Sequence, residues 1–343
     1  MAAVAIDAAA AVEGSSVRHL GVCYCTATCT TLTSLVIEGD CLESYFPAVA
    51  KGARCLGSFL VLMVHIITAF LAFTSYFILL PYEQNYQACG FVLLATASFH
   101  FQSALLLFFY VIFGTYLMIN VLYHYTKARR LEPIRISGQE GDRFCDVCRD
   151  WKAPSVHHCS FCQKCVLDMD HHCVWINQCV GAHNHRHFFL FITFLTFTML
   201  LIIVAGYHSF WDHTFGYEVG RSFCSGGPLP FAPLQTELCS HGMLVRNCVT
   251  FAYLLAWVLF LMVGGLTMWN VSLISKGLTQ IDYLKHSNGR AALPLRGSTA
   301  RENWRIFLGL KRDRSVWRHI LLPSGHPPVF RDDDGEMTSL HVI

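Results

Sequence analysis

Four stretches of this sequence are long and apolar enough to cross a bilayer, and no other feature restricts the fold as much. A helix needs roughly 20 apolar residues to traverse the hydrocarbon core. The first stretch runs from about Leu56 to Leu80 and is expected to stop at Pro81. The second runs from about Phe91 or Phe101 to Tyr123, its start interrupted by Ser98, His100 and Gln102. The third runs from near Phe188 to near Tyr207, and the fourth from about Cys248 to Val271. None alternates apolar and polar residues in a sustained way, which excludes membrane-spanning strands. Charged residues are 14% of the 343, against about 25% in a soluble domain. His65 and His100, within or beside spans, read as satisfied interior groups, and the spans hold too few ionisable residues for a transporter.

The loops set the orientation. Lys and Arg number three before the first span, none between the first and second, and nine from Lys127 to Arg186. Two lie between the third and fourth spans and eleven after the fourth. Basic residues stay in the cytosol. The expected organisation is a cytosolic tail over 1–55, two transmembrane helices in 56–123, and a cytosolic cysteine-rich domain over 124–187. Two further helices with a lumenal loop occupy 188–272, and a cytosolic region follows over 273–343. Cys224 and Cys239 fall in the lumenal loop and are a candidate disulfide. The tail, with Cys23, Cys25 and Cys29, lacks the basic and apolar regions of a signal peptide. A net charge of +2 gives no reason to expect a nucleic-acid partner. No internal repeat or low-complexity tract stands out.

Seven of the 16 cysteines lie between Cys145 and Cys179. A disulfide scaffold would be short and secreted. Cys-x2-Cys knuckles with interspersed His indicate zinc in a reducing compartment instead. The window holds seven Cys and four His (His157, His158, His171, His172). Two four-coordinate Cys3His sites would consume six Cys and two His, leaving one Cys and two His. The even spacing of Cys159, Cys162 and Cys165 leaves alternative ligand assignments open. Cys173 alone directly follows an acid and two histidines, Asp170-His171-His172. A thiol of pKa about 8.5 is mostly protonated at neutral pH. An imidazole can take its proton while a carboxylate orients that imidazole. A membrane-anchored zinc adaptor or ubiquitin ligase would need the eight ligands but has no use for Asp170, His171 and a thiol at a ninth position beside them.

Residues 145–188 resemble the DHHC cysteine-rich domain of protein palmitoyltransferases, through the motif, the Cys and His spacings, and the following Trp175, Asn177, Cys179, Gly181, Asn184 and Phe188. The resemblance implies an all-α membrane protein of four transmembrane helices. Between the second and third it places a cytosolic cysteine-rich domain with two structural Zn2+ ions. Cys145, Cys148, His158 and Cys165 would hold one zinc, and Cys159, Cys162, His172 and Cys179 the other. Asp170, His171 and Cys173 would form the catalytic set, with Cys173 as nucleophile. The implied activity is two-step transfer of palmitate from palmitoyl-CoA, the acyl donor, to cytosolic cysteines of membrane-associated proteins, with an inactive scaffold of the same family as the alternative. Residues 273–282 are similar to the family's segment after the last span. The stretch Asn303–Gly309 is similar to its C-terminal motif. Together with Leu321-Leu322-Pro323-Ser324 and Asn184-His185-Arg186 it points to the Abl-philin branch, implying the endoplasmic reticulum membrane, with the Golgi membrane as alternative.

Several positions depart from the family pattern. Val174 follows the nucleophile where Pro is usual, so the loop is expected to be less rigid. Gln280 and Asp282 replace a Thr and a Glu. A basic residue near Ser155 and an Asp-Pro-Gly after the second span are absent. Coenzyme A is expected near Lys152, Lys164 or Arg186. Phe188, Phe189, Phe191, Phe194 and Phe197 are candidates to line an acyl cavity in the bundle, where each buried methylene contributes about 0.8 kcal/mol.

Overall fold

Helix α1 spans Pro47–Thr74 and continues through a π-helical turn, Ser75–Leu79, to Glu83. In chain order there follow α2 (Ala97–Arg130), α3 (His185–Ala205), α4 (Tyr207–Phe215), α5 (Gln235–Cys239), α6 (Gly242–Lys276), α7 (Gln280–Ser287), α8 (Ala300–Phe307) and α9 (Val316–Ile320). This is a computed structural model, and it describes residues 47–83, 97–134, 137–153, 155–216, 223–224, 232–287, 299–310, 316–325, 329–331 and 337–339. Cys23, Cys25, Cys29 and the side chain of His100 lie outside the described residues.

Four helical stretches are long and apolar enough to cross a membrane: Leu56–Glu83, Phe108–Arg130, His185–Ala205 and Gly242–Lys276. The chain is a multi-pass membrane protein. The first does not stop at Pro81. Proline lacks an N–H and its ring crowds the carbonyl four residues back. The wide turn just before it, in which the Leu80 N–H reaches Ser75 O, lets the helix continue to Glu83. The second runs past Tyr123 to Arg130, because its last turn carries Lys127, Arg129 and Arg130, cations that suit a helix C-terminus. His65 is satisfied by the Val61 carbonyl at 2.7 Å.

Helix α3 packs along both α2 and α6. More than half of its apolar window is buried, against at most 28% in the other three. After α3 the short helix α4 turns back along α6, and a disulfide joins Cys224 to Cys239.

Between α2 and α3 the chain abandons helix for three antiparallel hairpins. These are β1 (Arg143–Cys145) with β2 (Asp150–Lys152), β3 (Val156–Cys159) with β4 (Lys164–Leu167), and β5 (His171–Cys173) with β6 (Gln178–Val180). A fourth pair, β7 (Val329–Arg331) with β8 (Met337–Ser339), lies near the C-terminus. The first three form a repeat that residue types conceal. Arg149, Gln163 and Asn177 take positive φ of 57°, 54° and 51° at the same point of each turn, 14 residues apart. Cys145, Cys159 and Cys173 end the first strands at the same interval. In the third hairpin the buried Ile176 stands where Cys148 and Cys162 stand in the first two. Cys173 is therefore the first cysteine of a knuckle that has lost its second.

Candidate active site and metal centres

Strand register builds the metal centres. Directly opposed residues in an antiparallel pair have Cβ atoms about 5 Å apart. The register opposes His158 to Cys165 and His172 to Cys179, so each hairpin supplies a His and a Cys to one centre. The first set is completed by Cys145 and Cys148, and the second by Cys159 and Cys162; within each, all four ligand atoms lie within 4.8 Å of one another. His158 Nδ1 is 3.5, 3.3 and 3.7 Å from the sulfurs of Cys145, Cys148 and Cys165. His172 Nδ1 is 3.7, 3.4 and 3.6 Å from those of Cys159, Cys162 and Cys179. Tetrahedral zinc with bonds of about 2.3 Å to sulfur wants donors roughly 3.8 Å apart. Both sets fit a four-coordinate metal ion with no open position. The open choice among Cys159, Cys162 and Cys165 resolves with Cys165 in the first set.

Successive side chains of a strand point to opposite faces. In β5 this sends His172 to the metal set and leaves His171 and Cys173 together on the other face. His171 Nδ1 donates to Asp170 Oδ2 at 2.8 Å, which leaves Nε2 for the Cys173 thiol. The Asp170 carboxylate is 3% exposed and the His171 ring 24%. Oδ1 of Asp170 accepts the backbone N–H of Gln280 at 2.7 Å. Burial alone would raise the Asp170 carboxyl. The charges of His185 and His171 and these hydrogen bonds outweigh it and hold the group at about 2. Burial likewise disfavours the His171 imidazolium, but the hydrogen bonds to Asp170 and Cys173 carry it up to about 10. The edge of Phe188 packs on the His171 ring.

Two features of the site escaped the sequence reading. One is the support from the segment after α6. Thr279 and Asp282 cap α7 reciprocally, the Asp282 N–H reaching Thr279 Oγ1 and the Thr279 N–H reaching Asp282 Oδ2, both at 3.1 Å. The Asp in place of Glu therefore performs the cap. Because Gln280 offers Asp170 its main chain, its side chain is free to accept from Trp269 Nε1 at 2.7 Å. Gly277, at φ 69°, sits where a Cβ would come within 2.9 Å of Asn303 Oδ1. Asn303 and Trp304 in turn donate to Ser275 O and Oγ. The other feature is Tyr125 of α2, whose hydroxyl donates to the Trp175 carbonyl at 3.0 Å. Beside it, Gly57 of α1 has no room for a Cβ against Asn177, whose Oδ1 would lie 2.2 Å away.

Phe188, Phe189, Phe191 and Phe194 are buried in the same apolar cluster as Cys173, whereas Phe197 is 53% exposed and leaves the candidate cavity for the lipid face. Of the basic candidates, Lys164 is paired with Glu132 at 2.9 Å. Arg186 is buried and donates to Ser324 O, Ser324 Oγ and His319 O; it ties down the C-terminal segment and is not an exposed cation. His157 belongs to neither metal set. Its Nε2 meets the Lys285 ammonium at 3.3 Å, and burial together with that charge holds the ring at about 4.

Comparison with known proteins gives the same answer as the geometry. Residues 138–287 match the family model described as DHHC palmitoyltransferase. The chain is 29% identical over 333 residues to "Palmitoyltransferase ZDHHC16A" of Danio rerio, covering 85% of this chain and 81% of that one. It is 34% identical over 224 residues to "Palmitoyltransferase ZDHHC16" of Mus musculus, covering 62% of this chain and 59% of the relative. "Palmitoyltransferase pfa3" of Aspergillus fumigatus is 32% identical over 191 residues, 56% of this chain and 31% of the relative. Residues 138–287 are a DHHC palmitoyltransferase domain.

Proposed function

We propose that the chain is a protein S-acyltransferase that moves palmitate from palmitoyl-CoA to cytosolic cysteines of membrane-associated proteins through an acyl-enzyme on Cys173. The observation that carries this reading is the shared face of β5: Cys173 beside His171, His171 on Asp170, and Asp170 on the Gln280 main chain. His171 Nε2 holds the proton it shares with Cys173 as an imidazolium, as its raised pKa favours, and the sulfur of Cys173 attacks the thioester carbonyl. The carbon–sulfur bond to coenzyme A breaks, and the leaving thiolate takes the proton back from His171. In the second half His171 deprotonates the substrate thiol. That sulfur takes the acyl group, and Cys173 leaves as thiolate and is reprotonated. Asp170 stays ionised throughout and steadies the imidazolium.

The two Cys3His sets are proposed to hold Zn2+, which would fix the hairpins without entering the reaction. The acyl chain is assigned to the bundle beside Phe188, Phe191 and Phe194, which are buried with Cys173. The basic bias of the loops supports cytosolic termini and a cytosolic active site. It also puts the Cys224–Cys239 disulfide on the oxidising side. The branch resemblance favours the endoplasmic reticulum membrane over the Golgi.

The test is covalent labelling. Purified protein incubated with radiolabelled palmitoyl-CoA should carry hydroxylamine-sensitive label, and Cys173→Ser should carry none with its zinc content unchanged. Equal labelling of the two proteins would refute the assignment of Cys173.

A further inference from the structure

The segment after α8 does not lie free above the membrane helices. The Tyr116 hydroxyl donates to Leu321 O at 2.7 Å, and Tyr116 lies inside the second span, Phe108–Arg130. At 1.5 Å per residue, Tyr116 is about 16 Å along the helix from Lys127, the first basic residue at its end. That distance is close to the half-thickness of a hydrocarbon core of about 30 Å. Gly325 marks the other end. A Cβ there would lie 3.3 Å from Tyr123 Oη and 3.9 Å from Lys127 Nζ. The four steps from Leu321 to Gly325 can span roughly 14 Å, more than the about 10 Å of helix between Tyr116 and Tyr123. Ile320 packs against the cluster that contains Cys173.

Two properties of this segment suit hydrocarbon. First, irregular backbone at membrane depth is tolerated only where protein groups satisfy its polar atoms. Here Leu321 O is taken by Tyr116, and His319 O and Ser324 O by the buried guanidinium of Arg186. The Leu321 N–H goes to Trp317 O. A segment lying in water would need none of these. Second, among the described side chains of the segment, Trp317 is 74% exposed and Leu321 and Leu322 are 40% and 54% exposed. They continue the apolar outer surface of the second span, where Phe108, Ile112, Ile119 and Leu122 are also exposed.

We propose that Val316–Leu322 is a re-entrant element embedded in the cytosolic leaflet, with Trp317, Leu321 and Leu322 against lipid acyl chains and Arg186 and Tyr116 as its internal anchors. The inference rests on the four spans and on the cytosolic assignment of their loops; it does not depend on acyl transfer, and its readout is not activity. The expectation of an entirely cytosolic 273–343 is thereby narrowed.

The full-length protein would be reconstituted in phosphatidylcholine vesicles whose acyl chains carry bromine at mid-chain. The emission attributable to Trp317 is the difference between wild type and Trp317→Phe. That component should lose most of its intensity in brominated vesicles and resist acrylamide added to the water. Leu322→Trp, which adds a second reporter and retains Trp317, should gain emission with the same two properties. Quenching of either component by acrylamide with no response to brominated lipid would place the segment in water and overturn the proposal. Unchanged zinc content and circular dichroism in both variants would establish that the comparison is between folded proteins.

Discussion

The main-chain N–H of Gln280 donates to Oδ1 of Asp170 at 2.7 Å, tying the segment after the last membrane helix to the acid of the proposed catalytic face. Gln280 is the first residue of α7, a position where proline fits without harming the helix. Gln280→Pro therefore deletes this hydrogen bond together with the side-chain contact to Trp269. A hydrogen bond to a charged group contributes about 1.5–3 kcal/mol, which at 1.36 kcal/mol per tenfold corresponds to a loss of roughly tenfold or more in the rate of self-acylation. Gln280→Ala keeps the donor and forfeits only the exposed contact with Trp269, so its rate should stay within about twofold of wild type, as for a surface substitution. Single-turnover labelling of the two variants separates the backbone role from the side chain.

Tyr125 should matter through the loop it holds. Its hydroxyl reaches Trp175 O, two residues beyond Cys173, where the sequence has Val174 in place of the family's usual proline. Tyr125→Phe removes one neutral hydrogen bond of about 1 kcal/mol and should slow self-acylation about fivefold with zinc content unchanged. Proline fixes φ near −65°, so Val174→Pro added to Tyr125→Phe should recover much of the loss. A double variant as slow as the single one would assign Tyr125 to general packing.

How much of this site is legible in the sequence depends on which chemistry fixes residue type. Zinc ligation and thiol activation both do, so the seven Cys and four His of the window and the run Asp170-His171-His172-Cys173 stand out by spacing, while the division into two ligand sets comes with the family resemblance. The Gln280 donor is invisible because every residue but proline carries an N–H, and Tyr125 is invisible because only the approach of α2 aims it at the loop. The 14-residue repeat is masked where Phe144, Trp151 and Ile176 occupy positions that carry His or Cys in the second hairpin. Pro81 reads as a stop because the rule for proline is local, while the π turn that absorbs it is set by the preceding five residues. Arg186 reads as a cytosolic cation because nothing in the sequence reveals that the C-terminal segment returns to cover it.

Metal analysis should distinguish Cys173 from the six cysteines of the two metal sets. Cys148→Ser removes a donor from the first set, and structural zinc in such sets contributes on the order of 10–16 kcal/mol. Bound zinc should fall from two per chain toward one, with a lower unfolding temperature, because β3 and β4 carry ligands of both sets. Cys173→Ser should retain both ions. Loss of one equivalent from Cys173→Ser would return that cysteine to the ligands.

The end of the bundle that carries the Cys224–Cys239 disulfide should respond to acid through His213. Its Nδ1 hydrogen-bonds Ser209 O at 2.7 Å, and its Nε2 accepts the Phe223 N–H at 3.0 Å, so the ring is held neutral. Phe223 is next to the disulfide-bonded Cys224. Burial lowers the ring below its ordinary 6.5, with the Ser209 bond and the Asp212 charge opposing in part. The unfolded chain therefore binds the proton more readily, and linkage makes acid destabilising. Stability from this group is fully present above pH 6.5. It declines as the pH falls through 6.5 toward the lowered folded value, where the proton on Nε2 faces the Phe223 donor. In His213→Gln the amide supplies one donor and one acceptor without titrating. Thermal unfolding followed from pH 7.5 down to 5 should fall more steeply for wild type than for His213→Gln, and parallel profiles would exclude His213 as the acid-sensitive group.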